Sequence, residues 1–188
     1  SASLDLIYGD YDWIQFYGRH AMERNVQRIP AAHGAHVIGS RRGTSSHQYN
    51  PFVILAEKET TEDFGACYGM SFVYSGGFQA FAERDQYDQT RMGMGISPEG
   101  FSWSLKPGES FTAPEVILSY TGKGLGELSR QYHRILRHNV CRGMYKEVRR
   151  PILINNWEAT YFDFNGNKIY EIAKQAAELG VEMLVLDD

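Results

Sequence analysis

Two carboxylates and an indole are the groups in this sequence best suited to chemistry. Asp187 and Asp188 follow an apolar run over 183–186, and Trp157 comes shortly after a second apolar run over 152–154. Consecutive strand residues point to opposite faces. Two adjacent aspartates are therefore poorly placed as acid and base across one bond. A glycosidase pair needs carboxyls converging at roughly 5–5.5 Å for retention, and further apart for inversion. The dyad reads instead as a binder, with the strand breaking so that both carboxylates tip toward one pocket. Carboxylates accept strong hydrogen bonds from hydroxyls, and an indole offers an apolar wall to the C–H face of a sugar. Plainer readings stand beside this one. An Asp-Asp pair after a strand also serves as a helix cap or a solvated loop, and paired carboxylates also bind metal. A tryptophan also fills a core, and Glu158 also suits an ion pair with Arg149 or Arg150.

The elements that would position these groups form one repeat of strand, helix and strand. Residues 152–154 are apolar throughout, as in a parallel sheet covered on both faces. Ile169, Ile172, Ala173, Ala176 and Leu179 recur on a helical period, with Asn165 as N-cap and Gly180 as stop. Residues 183–186 read as a second buried strand. Both strands run the same way, so their carboxyl ends share a face, and ligands bind on that face in parallel α/β folds. Neighbouring strands lie about 4.8 Å apart. Trp157 and the aspartates are therefore expected to line one pocket.

The first two-thirds of the chain reads as antiparallel β. Short apolar or alternating runs fall at 4–8, 13–17, 53–56, 68–74, 78–84, 91–96, 101–105 and 110–120, with turn residues at the spacing of a sandwich. Ser75-Gly76-Gly77 reads as a hairpin turn between two of them. Leu125, Leu128, Tyr132, Ile135 and Leu136 then mark a helix ending near Asn139. Arg41, Arg42 and His47 are expected to hold a polar loop over 40–52. Ser45, Ser46 and His47 are adjacent and so do not converge as a triad. Asp163 is expected to cap the following helix or to hold its loop.

Composition narrows the function. The formal charge is -4, which excludes the basic footprint of a nucleic-acid binder. No apolar run is long enough to span a bilayer. The two cysteines, Cys67 and Cys141, are expected to be reduced core thiols of a cytoplasmic protein. Aromatic residues make up 13% of the chain, which suits both strands and sugar-facing surfaces.

"RPILINNWEATYFDF", a following amphipathic helix and "ELGVEMLVLDD" together resemble the start of the catalytic barrel of glycoside hydrolase family 36, the α-galactosidases. "SRRGTSSHQYNPF", "YGMSFVYSGGF", "DQYDQTR" and "FSWSLKPGESFTAPE" resemble the same family, in order along the chain. The resemblance implies a β-supersandwich over 1–121, a linking helix and linker over 122–150, and the start of a (β/α)₈ TIM barrel over 151–188. It implies a retaining hydrolase of terminal α-galactosides such as melibiose and raffinose, working without metal or organic cofactor and often as a homotetramer. It implies that Trp157 stands beside bound galactose and that Asp187 and Asp188 hold sugar hydroxyls. The family's nucleophile lies in a Lys-Trp-Asp segment, which does not occur here, and its acid/base comes later still. A complete barrel needs about 250 residues. The chain is therefore expected to be a piece of a longer polypeptide that carries no catalytic residue of its own. The alternative is a non-catalytic β-sandwich used in carbohydrate binding or assembly.

Overall fold

Val53, Ile54, Leu55 and Ala56 are apolar without alternation, the pattern of a strand covered on both faces. In the computed structural model, which describes residues 1–187, they lie in β5 (Tyr49–Glu57). Asp188 is outside the described residues. β5 is the centre of a five-stranded antiparallel sheet. The order is β3 (Met22–Pro30), β2 (Tyr11–Arg19), β5, β6 (Cys67–Phe72), β9 (Val116–Thr121). A four-stranded antiparallel sheet packs against it, ordered β1 (Ala2–Leu6), β8 (Thr90–Ile96), β7 (Phe78–Arg84), β4 (Gly34–Ser40).

Between the sheets lies one core. Trp13, Val53, Leu55, Met70 and Phe72 come from the first sheet, and Ile38, Phe78, Ala80, Met92 and Met94 from the second. The outer face of the five-stranded sheet is covered by α1 (Gly124–Ile135). Its Leu128 and Tyr132 pack on Ile14, Ile54, Ala56 and Cys67. Burying one such leucine contributes about 1.5–3 kcal/mol. Gly69 makes room for the helix: a Cβ there would lie 2.6 Å from the Tyr132 ring. Tyr132 donates its hydroxyl to the Ile117 carbonyl at 3.0 Å, and burial pushes its phenol well above the usual range. A π-helical turn, Leu136–Val140, ends the helix.

Several strands differ from expectation. Residues 68–74 and 78–84 do not form a hairpin, because β6 and β7 belong to opposite sheets. Ser75-Gly76-Gly77 instead carries the chain across the sandwich. Carbonyls in this crossover accept from Ser45: its N–H bonds Ser75 O at 2.8 Å, and its hydroxyl reaches Tyr74 O and Gly76 O. β3 has no alternation in its sequence because it is an outer edge with every residue but Ile29 exposed. β4 turns mixed residues inward: His36, Ile38 and Ser40. Residues 101–105 form no strand; Phe101, Trp103 and Phe111 gather there as an irregular aromatic cluster. Pairing of β2 with β5 slips between Gln15 and Tyr17, opposite the stretch holding Pro51, which has no N–H to give a ladder.

The polar loop over 40–52 is held as expected at two arginines: Arg41 pairs with Glu99, and Arg42 donates to Gln48 at 3.0 Å. The two cysteines part company. Cys67 is buried and its thiol is pushed up to about 11 by desolvation, whereas Cys141 is exposed and is no core residue.

The chain divides into two compact units, Ser1–Val140 and Cys141–Asp188. In the second, β10 (Leu153–Asn155) pairs in parallel with β11 (Met183–Val185). Between them run the single turn α2 (Trp157–Thr160) and the longer α3 (Gly166–Glu178). Asn165 caps α3 by accepting from Lys168 N at 3.0 Å. At its other end, Gly180 (φ +86°) and Val181 donate back to Ala177 and Ala176, satisfying the last carbonyls. The strands are less buried than their apolar sequences suggest. Ile154 and Leu184 are half-buried side by side, while Leu153 and Met183 on the other face are 51% and 44% exposed. A two-stranded sheet has two faces, and this unit has one long helix to shield them.

Candidate functional site

The parallel pairing ends at Asn155 opposite Val185, and Asn156 N–H adds one more bond to Val185 O at 3.3 Å. Both strands therefore release their chains at the same level. Two consecutive amides hold the released segments together. Asn155 Oδ1 accepts from the Trp157 backbone N–H at 2.7 Å, and its Nδ2 donates to Asp187 Oδ2 at 2.9 Å. Asn156 is fully buried. Its Oδ1 accepts from Asp187 N–H at 2.8 Å, and its Nδ2 donates to Thr160 Oγ1 at 2.9 Å. Trp157 and Asp187 thus belong to one hydrogen-bonded cluster, linked through a single asparagine.

The indole of Trp157 is half-buried. Tyr161 and Phe162 meet it edge-on, with ring centroids at 5.4 Å and 4.8 Å. Tyr161 has φ +46°, which stops α2 after one turn and turns the chain so that both rings can flank the indole. Asp163 holds this loop through Lys168, which donates to its carbonyl at 2.7 Å, while the cap of α3 is Asn165. An apolar aromatic wall beside a carboxylate can seat a polyol: the wall takes C–H groups and the carboxylate accepts from hydroxyls.

Glu158 does not pair with Arg149 or Arg150. Arg149 reaches Glu182 at 2.5 Å, and Arg150 bonds the carbonyls of Tyr145 and Val148. Glu182 also accepts from Ile152 N–H at 2.8 Å. The Arg149 guanidinium, helped by that N–H, holds the Glu182 carboxyl below its usual range. Glu182 thereby ties the entry of β10 to the head of β11.

Of the expected site residues, Trp157 and Asp187 are brought together, and Asp188 lies outside the described residues. Asn155 and Asn156 also fall on the expected ligand face, directly after the first strand, but without an expected role there. Their signal was available: two adjacent amides, each offering a donor and an acceptor, directly at the end of an apolar run. A cavity of about 540 Å³ lies elsewhere, in the first unit between α1 and the five-stranded sheet. Its walls are mainly apolar, including Ile14, Phe16, Phe52, Leu125 and Leu136, with Glu62, Ser129 and His133 among the polar groups that line it; Ser129 Oγ and His133 Nε2 lie 3.4 Å apart.

An antiparallel sandwich, and a parallel strand–helix–strand whose carboxyl ends carry a tryptophan and an aspartate, fit the class of sugar-binding proteins. Residues 1–106 match the family model for the glycosyl hydrolase family 36 N-terminal domain, and residues 110–188 match the model named Melibiase. The chain belongs to glycoside hydrolase family 36. It is 58% identical to the bifunctional alpha-galactosidase/sucrose kinase AgaSK of Mediterraneibacter gnavus over its whole length, which is 20% of that relative. The solved galactosidase domain of AgaSK superposes with a TM-score of 0.92, covering 100% of this chain and 26% of that one. A structure of the alpha-galactosidase AgaA from Geobacillus stearothermophilus in complex with raffinose is 51% identical, with a TM-score of 0.92 over 99% of this chain and 26% of its own. The chain therefore spans about a quarter or less of the relatives it matches.

Proposed function

We propose that this chain is part of a retaining α-galactosidase acting on terminal α-galactosides of the melibiose and raffinose type. It supplies one side of the galactose site. The observation that carries this reading is the cluster joining Trp157 to Asp187 at the carboxyl ends of the parallel pair. Relatives named alpha-galactosidases, one of them solved with raffinose, support it. Trp157 forms the apolar wall, and Asp187 and Asp188 accept from sugar hydroxyls. The nucleophile and the acid/base are assigned to other segments of the enzyme, and no cofactor is required. The sandwich over 1–121 and the segment over 122–150 lead into a catalytic barrel beginning at 151. We assign the enzyme to the cytoplasm, as a homotetramer.

The test is kinetic. In the complete enzyme, Asp187→Asn removes a charge-assisted hydrogen bond worth roughly 1.5–3 kcal/mol, so kcat/KM on a nitrophenyl α-galactoside falls about tenfold or more. Trp157→Ala lowers it comparably. A loss below about threefold for both variants rules out the assignment of these residues to the sugar.

A further inference from the structure

Asn155 meets two partners of opposite polarity. Its Oδ1 takes the Trp157 N–H and its Nδ2 gives to Asp187 Oδ2. A backbone N–H only donates, and an ionised carboxylate only accepts. The amide therefore has one workable orientation; the flipped form would set NH₂ against N–H and C=O against carboxylate. Among the described residues, Asp187 Oδ1 accepts no hydrogen bond. The bracket occupies one carboxylate oxygen and leaves the other open. Asn156 meanwhile fixes the Asp187 backbone through its N–H. Asn155 itself is exposed, so truncating it strands no buried polar group of its own. Its bonds are better suited to orienting the carboxylate than to holding the fold.

We propose that Asn155 is a positioning residue for the sugar site, its amide fixing the Asp187 carboxylate to the Trp157 turn so that one oxygen faces a ligand hydroxyl. The inference rests on the galactoside reading of the same site and adds to it the residue that orients its carboxylate. A group held in the productive geometry before the ligand arrives spends none of the binding free energy on being ordered.

Two measurements test this. The first needs no catalysis. In nitrogen-edited spectra of the 188-residue chain, the Asn155 side-chain amide proton that bonds Asp187 is displaced downfield and exchanges slowly with water, and Asp187→Ala removes both effects. An Asn155 amide signal unchanged by Asp187→Ala overturns the proposal. The second is a cycle in the complete enzyme with a nitrophenyl α-galactoside. Asn155→Asp keeps an acceptor for Trp157 N–H but sets a like charge against Asp187. It raises KM about tenfold and leaves kcat within about threefold. Adding Asp187→Asn to it restores a donor facing an acceptor, so the double variant is no worse than Asp187→Asn alone. Strictly additive losses overturn the proposal. If the unmodified enzyme fails to hydrolyse the galactoside, the functional reading fails while the spectra still decide the role of Asn155.

Discussion

Replacing Gln15 by leucine should expose how the sandwich is tied across its core. Gln15 is 3% exposed, on β2, yet carries a polar amide into the space between the sheets. Its Oε1 accepts from Trp13 Nε1 at 2.7 Å and from His36 Nε2, on β4 of the opposite sheet, at 2.9 Å. Its Nε2 donates to Gln27 Oε1 at 2.7 Å. Leucine fills much the same space and accepts nothing. The three partners then suffer unequally. Gln27 is exposed and recovers a bond from water. His36 is half-buried and can rehydrate in part. Trp13 is 1% exposed, so its indole N–H is left unmet at the full desolvation cost of about 1–3 kcal/mol. With a smaller contribution from His36, the total is about 2–3 kcal/mol. For a domain of this size that lowers Tm by about 4–12 °C. Urea unfolding of the chain, followed by circular dichroism, gives the free energy directly. Gln27→Ala serves as a control and should cost less than about 0.5 kcal/mol. Pairing Gln15→Leu with Trp13→Phe removes donor and acceptor together and should show a coupling of at least about 1 kcal/mol. A Gln15→Leu cost below about 0.5 kcal/mol, or no coupling with Trp13, would refute this account of the network.

The Glu182 contact sets a pH limit on the second unit. Its carboxyl is held below the usual range by Arg149 and by Ile152 N–H. The stabilisation is thus fully present above the unfolded-state value and is lost as pH falls through the lower folded value. Amide protection at β10 and β11, corrected for the intrinsic pH dependence of exchange, should fall on acidification through that window, and Glu182→Gln should remove the step; unchanged acid sensitivity in the variant would count against the clamp. The thiols should separate cleanly. Cys141, exposed, reacts with a disulfide reagent in the native chain, whereas Cys67, buried and raised to about 11, reacts only on unfolding. Prompt labelling of both would show that α1 does not seal the outer face of the sheet.

How much was legible in the sequence depended on which physical signal was local. The two long helices were: their apolar stripes repeat every three to four residues, and Asn165 and Gly180 mark the ends of α3 within a few bonds of backbone. A strand with one buried face, such as β7, announced itself by alternation. β3 did not, because an exposed edge imposes no choice between its faces. The hairpin expected at Ser75-Gly76-Gly77 shows the next limit. A glycine turn specifies that the chain bends, but whether it returns to the same sheet or crosses to the other depends on which strands are already paired, and on Ser45, some thirty residues away, occupying the turn's carbonyls.

The site divides along the same line. Residue types and order alone were enough to mark an indole and a carboxylate at the ends of two parallel strands, because strand direction follows from the strand–helix–strand pattern. Only the folded chain decided that Asn155 would bond both the Trp157 main-chain N–H and the Asp187 carboxylate. That contact joins residues 32 apart in sequence at 2.9 Å. It depends on the register that sets Asn155 level with Val185, and register is a property of two strands meeting, which neither strand's own sequence contains.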